Sequence, residues 1–216
     1  MEPRLRIFGT VTSTYTRIVQ IACEESGVSH ETIATAAHSP DNRHPFGKVP
    51  CVEVDGLELY ESVAITQYVD NAHNGGALQP KNPATRAVMD KWIAIANNYL
   101  FPMFEHGLVM PWIMHKVAGM ELDQERIAKS LPDIARALSF CEAEIMKDGA
   151  FVRGPFSLAN VFIYPVLRGV QMTPHGAIGI GQCPALSDWM AEMDERPSII
   201  ATRWASEGES EWESEN

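Results

Sequence analysis

At 216 residues the chain is long enough to bury one large core or two modest ones, and with 45% apolar residues it belongs with folded rather than disordered proteins. A net charge of -11 argues against general affinity for nucleic acid or anionic membranes, both of which attract positive surfaces, while leaving room for an anionic ligand held by local basic groups. No apolar run approaches the length of a membrane span.

In chain order, residues 5–8 read as a short strand stopped by Gly9. The hydroxyl-rich segment 10–16 follows. Ile18, Val19, Ile21 and Ala22 then carry helical spacing as far as Ser26-Gly27, a C-terminal glycine signal. Residues 30–35 suggest a second strand, and the Ser-Pro, Asp-Asn and His-Pro steps of 36–48 mark a loop. A strand over 49–54, a turn at Asp55-Gly56 and a strand over 57–60 form a hairpin, and Ser62 can cap a helix running to about residue 72. Strand, helix, strand, hairpin and helix within the first 78 residues predict an α/β unit with a mixed sheet. Residues 79–83 are a Pro-punctuated linker, and the pattern from 84 onward is helical. Pro102 and Pro111 require a kink or break within 84–118. Amphipathic 123–147, strongly apolar 157–170 and shorter helices at 185–195 and 199–205 complete the helical part. The tail 206–216, with five glutamates, lacks a packing face and is expected to be mobile.

Cys23, Cys51, Cys141 and Cys183 are widely spaced and read as free thiols of a reducing compartment. No signal peptide is visible at the start, so the expected location is the cytoplasm. The histidines do not cluster at metal-ligand spacing, so no metal is expected.

Chemistry concentrates in His44-Pro-Phe-Gly-Lys-Val-Pro-Cys51 and Tyr60-Glu-Ser62. The Val49-Pro50 bond is either an ordinary loop feature or a cis bond. In cis it would turn the Val49 backbone outward, where an extended peptide could pair with it. Glu61-Ser62 is either a simple cap or a ligand site, in which helix N–H groups and the Ser62 hydroxyl hold a carboxylate while Glu61 holds an ammonium. In the cluster Thr10, Thr12, Ser13, Thr14, Tyr15 and Thr16, at least one hydroxyl serves as a helix cap. Another role is a hydrogen bond to a ligand thiol, which with the positive helix end favours thiolate. Met103, Phe104, Met110, Trp112 and Met114 read as core packing or as an adaptable apolar pocket.

These segments resemble the glutathione transferase family, in particular its serine-type, phi-like branch. The resemblance spans nearly the whole chain and rests on Gly9-Thr-Val-Thr-Ser-Thr-Tyr-Thr-Arg-Ile-Val19, His44-Pro-Phe-Gly-Lys-Val-Pro50, Leu59-Tyr-Glu-Ser-Val-Ala-Ile-Thr-Gln-Tyr68, Gly154-Pro-Phe-Ser-Leu-Ala-Asn160 and Pro184-Ala-Leu-Ser-Asp-Trp189 with Arg196-Pro197. It implies a thioredoxin-like glutathione-binding domain at 1–78, an all-helical electrophile-binding domain at 84–216 and a homodimer. By the same resemblance, Ser13 bonds the glutathione sulfur, with Thr12 as the rival. Val49 and Pro50 serve the cysteinyl part, Glu61 and Ser62 the γ-glutamyl end, and Lys48 the glycyl end. Val11, His106 and Met110 are matched to the electrophile pocket. The 36–43 loop is shorter than the phi pattern, leaving His38, Asn42 and Arg43 as glycyl-end candidates. Asn160 replaces the usual aspartate of the capping motif. The implied activity is conjugation of the glutathione thiolate to a hydrophobic electrophile. Glutathione-dependent peroxide reduction or isomerisation, or glutathione binding without catalysis, are the alternatives.

Overall fold

The computed structural model describes residues 4–205 and 207. Four strands, β1 (Leu5–Gly9), β2 (His30–Ala34), β3 (Cys51–Val54) and β4 (Leu57–Tyr60), form one sheet in the order β2-β1-β3-β4. The β1–β2 pair is parallel and the other two pairs are antiparallel, which makes the sheet mixed. Asp55 and Gly56 both take positive φ, as a two-residue hairpin requires. Helices α1 (Thr14–Glu25) and α2 (Ser62–His73) cover one sheet face, where Val19, Cys23, Ile65 and Val69 pack on Leu5, Ile7, Val52 and Val54. On the exposed face Arg6 bridges Glu31 at 3.1 Å and Glu53 at 2.8 Å, its register partners on the two neighbouring strands.

The second half is helical, as the apolar periodicity predicts. It comprises α3 (Pro83–Ile95), α4 (Phe101–Phe104), α5 (Met110–Ala118), α6 (Gln124–Asp148), α7 (Leu158–Gln171), α8 (Pro174–Gly181), α9 (Pro184–Asp194) and α10 (Pro197–Ala201). From α3 to α5 the chain stays helical through two π-turns, Ala96–Leu100 and Glu105–Val109. Each π-turn directly precedes a helix with proline near its start, Pro102 in α4 and Pro111 in α5. The wider turns absorb the missing proline N–H and the ring, so the two prolines do not interrupt the helical path. Helix α8 is absent from the sequence reading, where its prolines and glycines look like breakers. Thr173 caps it, accepting from Gly176 N at 3.1 Å, and Pro174 occupies the start, where no N–H is needed.

α1 joins the two halves. Its Ile18, Ile21 and Ala22 enter the large helical core, while Val19 and Cys23 face the sheet. Nearly all of α7 is buried. Asn160 Oδ1 accepts from Ser157 N at 3.0 Å and Ser157 Oγ at 3.1 Å, so the capping motif closes with an amide in place of a carboxylate. The linker is pinned by buried Asp70, which accepts from Leu78 N at 3.1 Å and Gln79 Nε2 at 2.7 Å. The expected mobile tail lies outside the described residues except for Glu207, and there the expectation fails. The Glu207 side chain is only 1% exposed and ion-pairs with Arg17 of α1, itself 0% exposed.

Candidate functional site

Ser13 is the N-cap of α1, with its Oγ accepting from Thr16 N at 3.3 Å. A hydroxyl used as an acceptor in this way keeps its own hydrogen free to donate, and it lies at the positive end of the helix. The approach of strand to helix is close: a Cβ on Gly9 would lie 2.4 Å from Thr16 Oγ1, so only glycine fits there. Thr12 sits one residue earlier, exposed and outside the cap.

The Val49-Pro50 bond is cis. Among the described residues the Val49 N–H and C=O have no main-chain partner. The preceding loop is held from within. Asn42 Nδ2 donates to Ala36 O at 3.1 Å and to Lys48 O at 3.0 Å, and Gly47 takes a positive φ beside the His38 ring, where a Cβ would collide. Of the basic and polar side chains in this loop, Arg43 is already engaged. It pairs with Glu53 and Glu58 and lies 4.0 Å from the centre of the Phe8 ring. Lys48 is exposed and makes no ion pair among the described residues.

Glu61 corrects one detail of the sequence reading. The cap position of α2 is Glu61, and Ser62 is the first helical residue. Glu61 adopts φ 70° and ψ 107°, a strained backbone for a residue with a side chain, of the kind that concentrates at binding sites. No side chain caps this helix, so its first N–H groups and the Ser62 hydroxyl are open to a ligand. The Glu61 carboxylate is 68% exposed and lies 3.5 Å from His44 Nε2. An anion cradle beside an exposed acid suits an α-amino-acid terminus.

A cleft of about 860 Å³ opens between the 10–14 segment and the helical half. Thr12, Ser13 and Met110 line it. Val11 is 62% exposed, and neither it nor exposed His106 is among the lining residues. Of the Met and aromatic run, Phe104 and Trp112 belong to the core and Met110 to the cleft, so each reading describes part of it. Sequence reasoning missed Glu105, Lys116 and Trp204, which also line the cleft. A single acid within an otherwise apolar helical run was the available signal for Glu105. Trp204 carries no comparable signal, because the Glu207 clamp holds it in place.

Burial raises the Glu105 carboxyl to about 7, and burial together with the nearby Glu105 and Glu61 charges raises the Tyr15 phenol. Folded protein therefore holds a proton on Glu105 between about pH 4.5 and 7 that the unfolded chain has released. The contribution of Glu105 to stability is most favourable below this window and is lost as pH rises through it, by on the order of 3 kcal/mol in all. Glu105→Gln should abolish that decline. Denaturant titrations of both proteins from pH 4.5 to 8 would refute this account if the two stability curves ran parallel. The protein's own sulfur is quiescent: burial pushes Cys51 up to about 11 and Cys23 and Cys141 to about 12.

Among the described residues no cluster could hold a metal ion, and no helix is long and apolar enough to cross a membrane. Comparison with known proteins gives a family. Models described as the N-terminal and C-terminal domains of glutathione S-transferase match residues 7–77 and 89–197. Glutathione S-transferase 1 of Zea mays is 30% identical over 207 residues, covering 90% of this chain and 94% of the relative. Glutathione S-transferase F7 of Arabidopsis thaliana is 27% identical over 202 residues, covering 90% and 96%. The crystal structure of glutathione transferase F7 from Populus trichocarpa superposes with a TM-score of 0.82 at 22% identity, over 92% of this chain and 97% of that one. The structure of glutathione S-transferase-I bound with lactoylglutathione superposes at 0.77 and 27% identity, over 93% and 98%.

Proposed function

The chain belongs to the glutathione S-transferase family, with relatives in its plant phi (F) class, and from that premise we propose that it ionises glutathione at Ser13 and adds the thiolate to a hydrophobic electrophile seated in the cleft. The observation that carries this reading is the Ser13 hydroxyl, whose oxygen accepts from the helix, which leaves its hydrogen free to donate, and which lines a cleft wide enough for a second substrate. The α/β unit, residues 1–78, takes glutathione. The open start of α2 receives the γ-glutamyl carboxylate through Ser62, and Glu61 receives its ammonium. The unpaired Val49 backbone before Pro50 receives the cysteinyl part, and Lys48 the glycyl carboxylate. The helical half, residues 84–216, takes the electrophile, with Met110 and Trp204 on its walls. Holding both reactants turns a bimolecular reaction into a local one. The ionised thiol needs no metal.

We further propose a cytoplasmic homodimer. The apolar side chains left outside, among them Phe46 at 72% and Tyr99 at 65% exposure, support a second copy as partner. The function is tested by calorimetric titration with glutathione and by conjugation of an aryl halide. Saturable binding with turnover is expected. Binding without turnover on a panel of electrophiles would leave a glutathione-binding protein, and an absence of binding would remove the function altogether.

A further inference from the structure

Glu105 is not used in the reaction as described so far. It stands on the π-turn between α4 and α5 and lines the same cleft as Ser13, and its carboxyl makes no hydrogen bond or ion pair among the described residues. Apolar Phe101, Val109 and Met110 line the cleft around it. The other charged residue of the lining is Lys116 of α5, and Tyr15 of α1 feels the Glu105 charge. The turn also packs on α6, where Ser130 abuts Gly107, and on α7, which with its C-terminal cap Met172 contributes Gly169 to the cleft. A free carboxyl in an apolar wall is costly to keep unless it does something there.

We propose that Glu105, in its neutral form, is a further catalytic residue that donates a proton to the oxygen of an electrophile, and that the cleft therefore selects α,β-unsaturated carbonyl compounds over substrates that need no proton. This rests on the conjugating function proposed above. The glutathione thiolate attacks the β-carbon and forms the C–S bond. The electron pair of the C=C bond moves through to the carbonyl oxygen, which takes the proton of the Glu105 carboxyl, giving an enol and a carboxylate. The carboxylate recovers a proton from water, matching the one that glutathione released on ionising, and the enol rearranges to the carbonyl product. Burial raises the Glu105 carboxyl to about 7, which keeps a neutral fraction at neutral pH, and a thiolate held at Ser13 in the same cleft would favour the neutral form further. A neutral acid also avoids repelling the thiolate that Ser13 is placed to stabilise.

The test uses the full chain and two electrophiles, 4-phenylbut-3-en-2-one and 1-chloro-2,4-dinitrobenzene. The aryl halide expels chloride and needs no proton. Glu105→Gln should lower kcat/KM for the enone by about 100-fold or more, as loss of a general acid does, so that the ratio of enone to aryl halide kcat/KM falls by at least about tenfold. In the unaltered protein, kcat/KM for the enone should turn down above about pH 7, a limb missing from the aryl halide profile. That second measurement decides the matter even if the variant does not fold. Enone activity that survives the substitution, equal losses on both substrates, or identical pH profiles in the unaltered protein would each overturn the proposal. Turnover of the aryl halide without the enone overturns it and leaves the conjugating function standing. Turnover of neither removes both.

Discussion

Ser13→Ala should lower kcat/KM for aryl halide conjugation by about 100-fold while leaving glutathione affinity nearly intact, because a donor aimed at developing charge acts on the thiolate and not on the bound thiol. The shared sulfur proton supplies a second readout. Without the Ser13 hydrogen bond, the ionisation seen in the pH profile should move up toward the free cysteine value of about 8.5. The variant also loses the cap on α1, where Oγ accepts from Thr16 N, so a stability loss of about 1 kcal/mol accompanies the kinetic one. That loss must be measured separately by denaturation. Thr12→Ala is the decisive control. Thr12 lines the cleft without capping the helix, and its removal should change conjugation little. If Thr12→Ala abolishes turnover and Ser13→Ala does not, the hydroxyl that serves the sulfur is the earlier one.

Glu207→Ala should have the largest effect on stability. Arg17 is wholly buried in α1, one helical turn beyond Ser13, with its guanidinium 5.3 Å from the Tyr164 ring centre and 4.6 Å from that of Trp204. Glu207 is its counter-charge, and the same carboxylate accepts from Arg168 Nε at 3.2 Å. Removing one partner strands a buried charge, at a cost of about 3–5 kcal/mol. The clamp also holds the cleft. Trp204 N donates to Glu207 Oε1 at 3.2 Å, and Trp204 forms part of the lining. Electrophile KM should therefore rise in the variant with glutathione affinity unchanged. Urea titration and the two constants measured side by side test this. A loss below about 1 kcal/mol would place the pair among ion pairs that contribute little.

What was legible in advance was local. The hairpin around Asp55-Gly56, the hydroxyl cap of α1 and the buried face of α7 follow from turn chemistry, capping and apolar periodicity, which act over a few residues. The residues at positions 49, 61 and 62 could likewise be singled out, because their chemistry sits within two short segments. Position 62 was read one place off, since only the backbone shows that Glu61 holds the cap position in a strained conformation. The tertiary structure decided the rest. It brought Glu105 to the cleft that Ser13 lines, kept Val11 and His106 off that lining, and buried Glu207 against an arginine 190 positions away. Sequence patterns record which face of an element is apolar. They do not record which distant element that face meets, and both the desolvation of Glu105 and the pairing of Arg17 depend on that meeting.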